Sequence, residues 1–122
     1  MKFYLCKHCG NIITKLTDKV VPVMCCGEKM QELVAGTTDA AVEKHVPVVT
    51  VSEGKVNVVI GEVEHPMTPE HFIEWVVVET NLGEKIKHLE PNQKPQAEFA
   101  ILADETVLNV YAYCNLHSLW KA

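Results

Sequence analysis

The chain contains no apolar run near the roughly eighteen residues that a membrane-spanning helix needs, so no span is expected. Its start, "MKFYLCKHCG", lacks the long apolar region and small-residue cleavage site of a secretory signal. Positive charge is scarce as well. With 11 basic against 16 acidic residues the net charge is −5, which argues against a general nucleic-acid binder. Internal repeats and low-complexity tracts are missing, and there is little helix signal. These absences make the cytoplasm the expected location, where thiols stay reduced. Five cysteines in such a chain are then metal ligands or reactive thiols rather than disulfides.

What is present divides into two textures. With 48% hydrophobic and 22% charged residues, the 122-residue chain can build a core and remain folded. Residues 1–36 are short, cysteine-rich and punctuated, with "KFYL" and "NIITKL" as short strands around a turn at Cys6–Gly10. "VVPVM" leads to a second turn at Cys25-Cys26-Gly27, and "AGTTDAA" reads as a connector. So small a segment cannot bury enough apolar surface to fold alone, and a metal is the expected staple. From about residue 46 the chain is strand-rich. "VPVVTV" and "KVNVVIG" flank a hairpin turn at Ser52-Glu53-Gly54, and "HFIEWVVVET", "EKIKHLE", "AEFAILA" and "VLNVYAYC" follow. Short strands separated by turns, with little helix, predict a mainly β protein whose larger part, 37–122, is a β-sandwich.

Cys6-Lys7-His8-Cys9 is a C-x-x-C, whose turn points both sulfurs inward, and Gly10 leaves room for that turn. The adjacent pair Cys25-Cys26 can reach the same ion only across a sharp bend, which Gly27 permits. Four thiolates on one tetrahedral ion explain how the segment folds; zinc and iron both suit such a site. Four sulfurs also close the ion to a reactant, so this site is structural or carries electrons. The competing reading is a redox-active C-x-x-C with two buried cysteines. His8 is expected to be a solvated turn residue.

Beyond residue 40 stand His45, His65, His71, His88 and His117, together with Cys114. Prolines stiffen "VEKHVPV", "VEHPM" and "TPEHF" around the first three, and His117 lies close to Cys114 in "CNLHSLW". His88, in "KIKHLE", has no such setting and is left out. Should His45, His65, His71, His117 and Cys114 converge, they supply four imidazoles and one thiolate, too many for ordinary tetrahedral zinc. Five such ligands suit iron and leave one position open to a small molecule.

The combination of C-x-x-C with Cys25-Cys26, "EKHVP" at 43–47, "HPM" at 65–67, His71 and "CNLH..W" at 114–120 resembles the desulfoferrodoxins, the two-iron superoxide reductases. The resemblance covers nearly the whole chain. It implies a desulforedoxin-like unit at 1–36 holding iron on Cys6, Cys9, Cys25 and Cys26. It further implies an immunoglobulin-like, neelaredoxin-like sandwich at 37–122 with the catalytic iron. There His45, His65, His71 and His117 would lie in one plane and Cys114 on the axis, His117 through Nδ1 and the others through Nε2. The implied reaction is reduction of superoxide by one electron and two protons to hydrogen peroxide. Lys44 would attract the anion and organise proton delivery, and Glu43 would occupy the sixth position of ferric iron after turnover. Without the resemblance, "EKH" reads as a solvated charged loop. A rubredoxin-like electron donor and a homodimer are also implied. One position departs from the pattern: the family usually has glycine where this chain has Ser118. A non-catalytic iron electron carrier, a zinc-stabilised binding module and a superoxide dismutase stand as alternatives.

Overall fold

The computed structural model describes all residues, Met1–Ala122, and they form two compact units, Met1–Val34 and Ala35–Ala122. In the first unit, β1 (Phe3–Leu5) is flanked by β2 (Ile12–Thr14) and β5 (Gln31–Leu33), both antiparallel to it. Between them β3 (Met24–Cys25) and β4 (Glu28–Lys29) make a minimal hairpin. Its apolar interior amounts to Phe3, Cys6 and Met30, so little surface is buried that covalent or metal cross-linking must hold the unit.

The larger unit opens with the one-turn helix α1 (Val42–His45), followed by β6 (Pro47–Ser52) and β7 (Lys55–Ile60). Then come β8 (Ile73–Thr80), β9 (Gly83–His88), β10 (Gln96–Ala100), β11 (Val107–Cys114) and β12 (Ser118–Lys121). These seven strands form a three-stranded sheet, β10-β7-β6, and a four-stranded sheet, β12-β11-β8-β9. Alternation explains how they pack. Val56, Val58 and Ile60 of β7 and Ala97 and Phe99 of β10 point inward from one sheet. Val76, Val78, Val110, Ala112 and Cys114 meet them from the other, closing a β-sandwich core. In immunoglobulin terms the first, second and fifth strands face the third, sixth and seventh, and the fourth strand joins the latter sheet by pairing with β8.

Two elements depart from the expectations. "EKH" is not a loop: Glu43, Lys44 and His45 lie on α1, with Glu43 and Lys44 exposed and His45 buried. Only six strands of the larger segment are readable from alternation, and β12 adds the seventh. It pairs with the end of β11 through Cys114↔Ser118 after a three-residue turn, and at Ser118 the backbone enters the left-handed region with φ 65°.

Candidate metal centres

The two cysteine turns face each other in the first unit. Gly10 N–H donates to Cys6 O (3.0 Å) and Cys6 N–H to Asn11 O (2.9 Å), which folds the first turn tightly. In the second, Cys25 pairs with Glu28, so Cys26-Gly27 is a two-residue hairpin loop with φ of 52° and 76°. Positive φ at both loop positions is the primed turn that matches strand twist, and it accounts for how adjacent cysteines aim at one point. The four sulfurs lie within 4.8 Å of one another. Without a cation they cannot all ionise. Backbone N–H groups of Cys9 and His8 lower the Cys6 thiol to about 6, while neighbouring sulfurs push Cys26 up to about 12. His8 is exposed and sits 3.2 Å from Glu28, bridging the two turns.

The second cluster is built at one end of the sandwich. The inward row Val110, Ala112, Cys114 on β11 delivers the Cys114 sulfur into the interior, where it is fully buried. α1 contributes His45, the segment after β7 contributes His65, the turn before β8 contributes His71, and the β11–β12 turn contributes His117. The rings form a closed square: His45–His65, His65–His71, His71–His117 and His117–His45 centroids are 4.7, 4.8, 5.1 and 4.9 Å apart, each pair near perpendicular. Across the square, His45 and His71 are 6.4 Å apart.

The ring nitrogens show what this square is built for. His45 Nδ1–H donates to Ala41 O and His65 Nδ1–H to Pro66 O, both at 2.7 Å. Each therefore turns a bare Nε2 lone pair inward, and these two acceptors are 3.2 Å apart. His117 Nδ1 comes within 3.1 Å of His45 Nε2 and 3.9 Å of Cys114 Sγ. His71 Nε2 is buried with no hydrogen-bond partner at all. A buried orphan beside converging lone pairs is costly unless a cation accepts them. Burial keeps these rings neutral: it lowers the pKa of His45 and His71, and that of His65 to about 4. Cys114 is pushed up by burial, but backbone N–H groups of Leu116 and His117 face its sulfur and favour the thiolate. The donor set, four imidazoles and one sulfur, fits an iron ion.

The family model for desulfoferrodoxin matches residues 37–122. The chain is 45% identical over 122 residues to a desulfoferrodoxin of Clostridium acetobutylicum, covering 100% of this chain and 95% of that one. The chain belongs to the desulfoferrodoxin family.

Among solved structures, a superoxide reductase from Treponema pallidum superposes with a TM-score of 0.83 at 38% identity, covering 98% of both chains. A superoxide reductase from Giardia intestinalis, described as a one-iron form, gives a TM-score of 0.56 at 32% identity. It covers 66% of this chain and 95% of that one. For a desulfoferrodoxin the cluster has further supports, among them Trp120 of "CNLH..W", which the motif places nearby as apolar cover. Trp120 stacks on His45, with centroids 4.8 Å apart at 25°, and its Nε1–H donates to His117 O at 3.0 Å. Gly61 lies against the Lys44 backbone, and Asn115 bridges to the His71 turn. The signal for Gly61 was its place just after an apolar strand; for Asn115 it was its place in "CNLH..W". His88 ends β9 as an exposed residue, away from the square. Lys44 is exposed, and its charge reaches both His45 and His71.

Proposed function

We propose that this chain is a superoxide reductase, with residues 37–122 carrying the catalytic iron on His45, His65, His71, His117 and Cys114. Residues 1–36 carry a second iron on Cys6, Cys9, Cys25 and Cys26. The observation that supports this most directly is the square of four imidazoles beside the buried Cys114, with His71 Nε2 left unpartnered. Iron held there supplies one-electron reduction, converting superoxide and two protons to hydrogen peroxide.

The protein's own groups prepare the site for that anion. Lys44 places a point charge on an exposed turn next to His45, where an anion approaching through water meets an attractive field. Its ammonium holds water and hydrogen-bond donors where negative charge develops. Glu43, exposed on the same turn, would supply a carboxylate to hold the oxidised iron. Burial pushes the Cys114 thiol up, so a bound cation would be what ionises it; the backbone N–H groups of Leu116 and His117 facing its sulfur would support that thiolate, whose charge would favour electron donation toward the substrate. Carbonyl acceptors at Ala41 and Pro66 fix the tautomers of His45 and His65.

The electron comes from outside, and a small rubredoxin-like donor is the partner we assign. A homodimer in the cytoplasm completes the reading, supported by the family and by five free cysteines. No helix is long and apolar enough to cross a membrane. The deciding experiment feeds superoxide to the iron-loaded protein with a reductant and measures peroxide, oxygen and donor consumed. A reductase gives a peroxide and takes an electron from the donor for every superoxide lost. Oxygen evolution without donor consumption means a dismutase. Inertness toward superoxide leaves an electron carrier.

A further inference from the structure

His45 and His65 each have a ring nitrogen tied to a backbone carbonyl, so their orientation is set locally. His71 Nε2 is unpartnered, so the placement of this ring depends on its backbone. A bridge to Thr68 shapes that turn from one side, with Thr68 N–H donating to His71 O (3.0 Å) and His71 N–H to Thr68 O (3.1 Å). Something else must place the turn relative to the other ligands.

The β8–β11 ladder does not do it. Its register runs Tyr113↔Trp75 and then Cys114↔Ile73, so Glu74 is an extra residue and the pairing breaks beside Cys114. The bulge lets Ile73 and Cys114 both face the core, but it frees the segment that carries His71 from the regular pairing. Asn115 spans this break. Its backbone N–H donates to Phe72 O (3.2 Å), its side-chain Oδ1 accepts from Phe72 N–H (3.0 Å), and its Nδ2 donates to Glu70 O (2.9 Å). An amide side chain carries a donor and an acceptor together, so it can continue a ladder as a peptide group would. All three bonds fall on the residues flanking His71, from the residue that follows Cys114.

Resting on the reading of this cluster as an iron site, we infer that Asn115 is a positioning residue that sets His71 against Cys114. It touches neither metal nor substrate. Its removal leaves five donors present but lets the His71 turn drift from the sulfur, and supports of this kind typically govern about 10–100-fold in metal affinity.

The test uses the full-length, iron-loaded chain and follows iron loss from this site to a chelator through its thiolate-to-ferric charge-transfer band. Asn115→Ala should release iron about tenfold faster than wild type and shift the band. Asn115→Asp, which keeps the acceptor and loses the donor, should fall between them and serves if the alanine variant does not fold. Asn109→Ala is the control, because it deletes a 2.8 Å bond to Glu79 across the same two strands but far along the ladder. It should lose stability while keeping the wild-type band and release rate. Release from the Asn115 variants no faster than from Asn109→Ala overturns the inference. A wild-type chain that takes up no iron here overturns instead the reading of the cluster on which it rests.

Discussion

Ser118 is the residue at which the chain departs from the family's usual glycine, and its backbone explains why glycine is the common choice. At φ 65° it sits in the left-handed region, where a Cβ crowds the following carbonyl and costs about 1–2 kcal/mol. The turn between β11 and β12 demands that conformation, because Cys114 pairs with Ser118 across it, and the Trp120 indole Nε1–H donates to His117 O within it. Ser118→Gly should therefore raise stability by about 0.5–1 kcal/mol, the relief of strain less the extra freedom glycine brings to the unfolded chain. The check is the urea midpoint of the iron-loaded protein, with the charge-transfer band unchanged; a lower midpoint would mean that the serine hydroxyl contributes more than its backbone costs. At this scale the clustered cysteines and histidines were legible because these residues have few ordinary reasons to gather around prolines and turns. Their supports were legible only in part. Asn115 and Trp120 stand in "CNLH..W", with Trp120 expected to pack nearby, but only folding shows that Asn115 flanks His71 and that Trp120 stacks on His45.

Among the elements, the strands of the sandwich could be read because alternation repeats over several residues, as Val56, Val58 and Ile60 do. α1 and β12 could not. Each spans four residues, too few for a period to register, and β12 starts from a residue in unusual backbone geometry. The double left-handed turn at Cys26-Gly27 was foreshadowed only as a bend; its type follows from the Cys25↔Glu28 pairing. α1 in particular is held from below. Gly61 N–H donates to Val46 O (3.2 Å) and Val63 N–H to Glu43 O (3.0 Å), which presses the segment after β7 against the helix. A Cβ on Gly61 would meet Val63 O at 2.4 Å and Lys44 O at 2.7 Å, and neither is a flexible side-chain end. Gly61→Ala should thus cost about 1–3 kcal/mol and also displace Lys44 and His45, slowing superoxide reduction. Gly54→Ala isolates the strain alone, since Gly54 has φ 72° in the β6–β7 turn with open space around it. It should destabilise while leaving the superoxide rate as it was. Equal rates for the two variants would show that the close approach at Gly61 does not position α1.

Charge is distributed unevenly over the whole molecule, and this governs how an anion reaches the larger unit. Met1–Val34 carries five lysines against three carboxylates, whereas Ala35–Ala122 carries six lysines against thirteen. A superoxide anion thus approaches the more acidic unit, and Glu43, Glu62, Glu64 and Glu70 stand close in sequence to the proposed ligands. Lys44 is the local exception, an exposed cation whose charge reaches two rings of the square. Local fields outweigh distant net charge when the distant charges lie beyond a screening length, about 10 Å at 0.1 M salt. The second-order rate with superoxide should accordingly fall as salt is raised, despite the net charge of −5. Lys44→Ala should slow the encounter about tenfold at low ionic strength and flatten that salt dependence, the lower end of what local steering supplies. Stopped-flow or pulse-generated superoxide against the iron-loaded variants would measure both quantities. An unchanged rate would remove the steering role. If the two proteins converge near 1 M salt, where the screening length is about 3 Å, Lys44 acts through its field alone. If a gap persists there, the ammonium also serves the proton transfers that complete the peroxide.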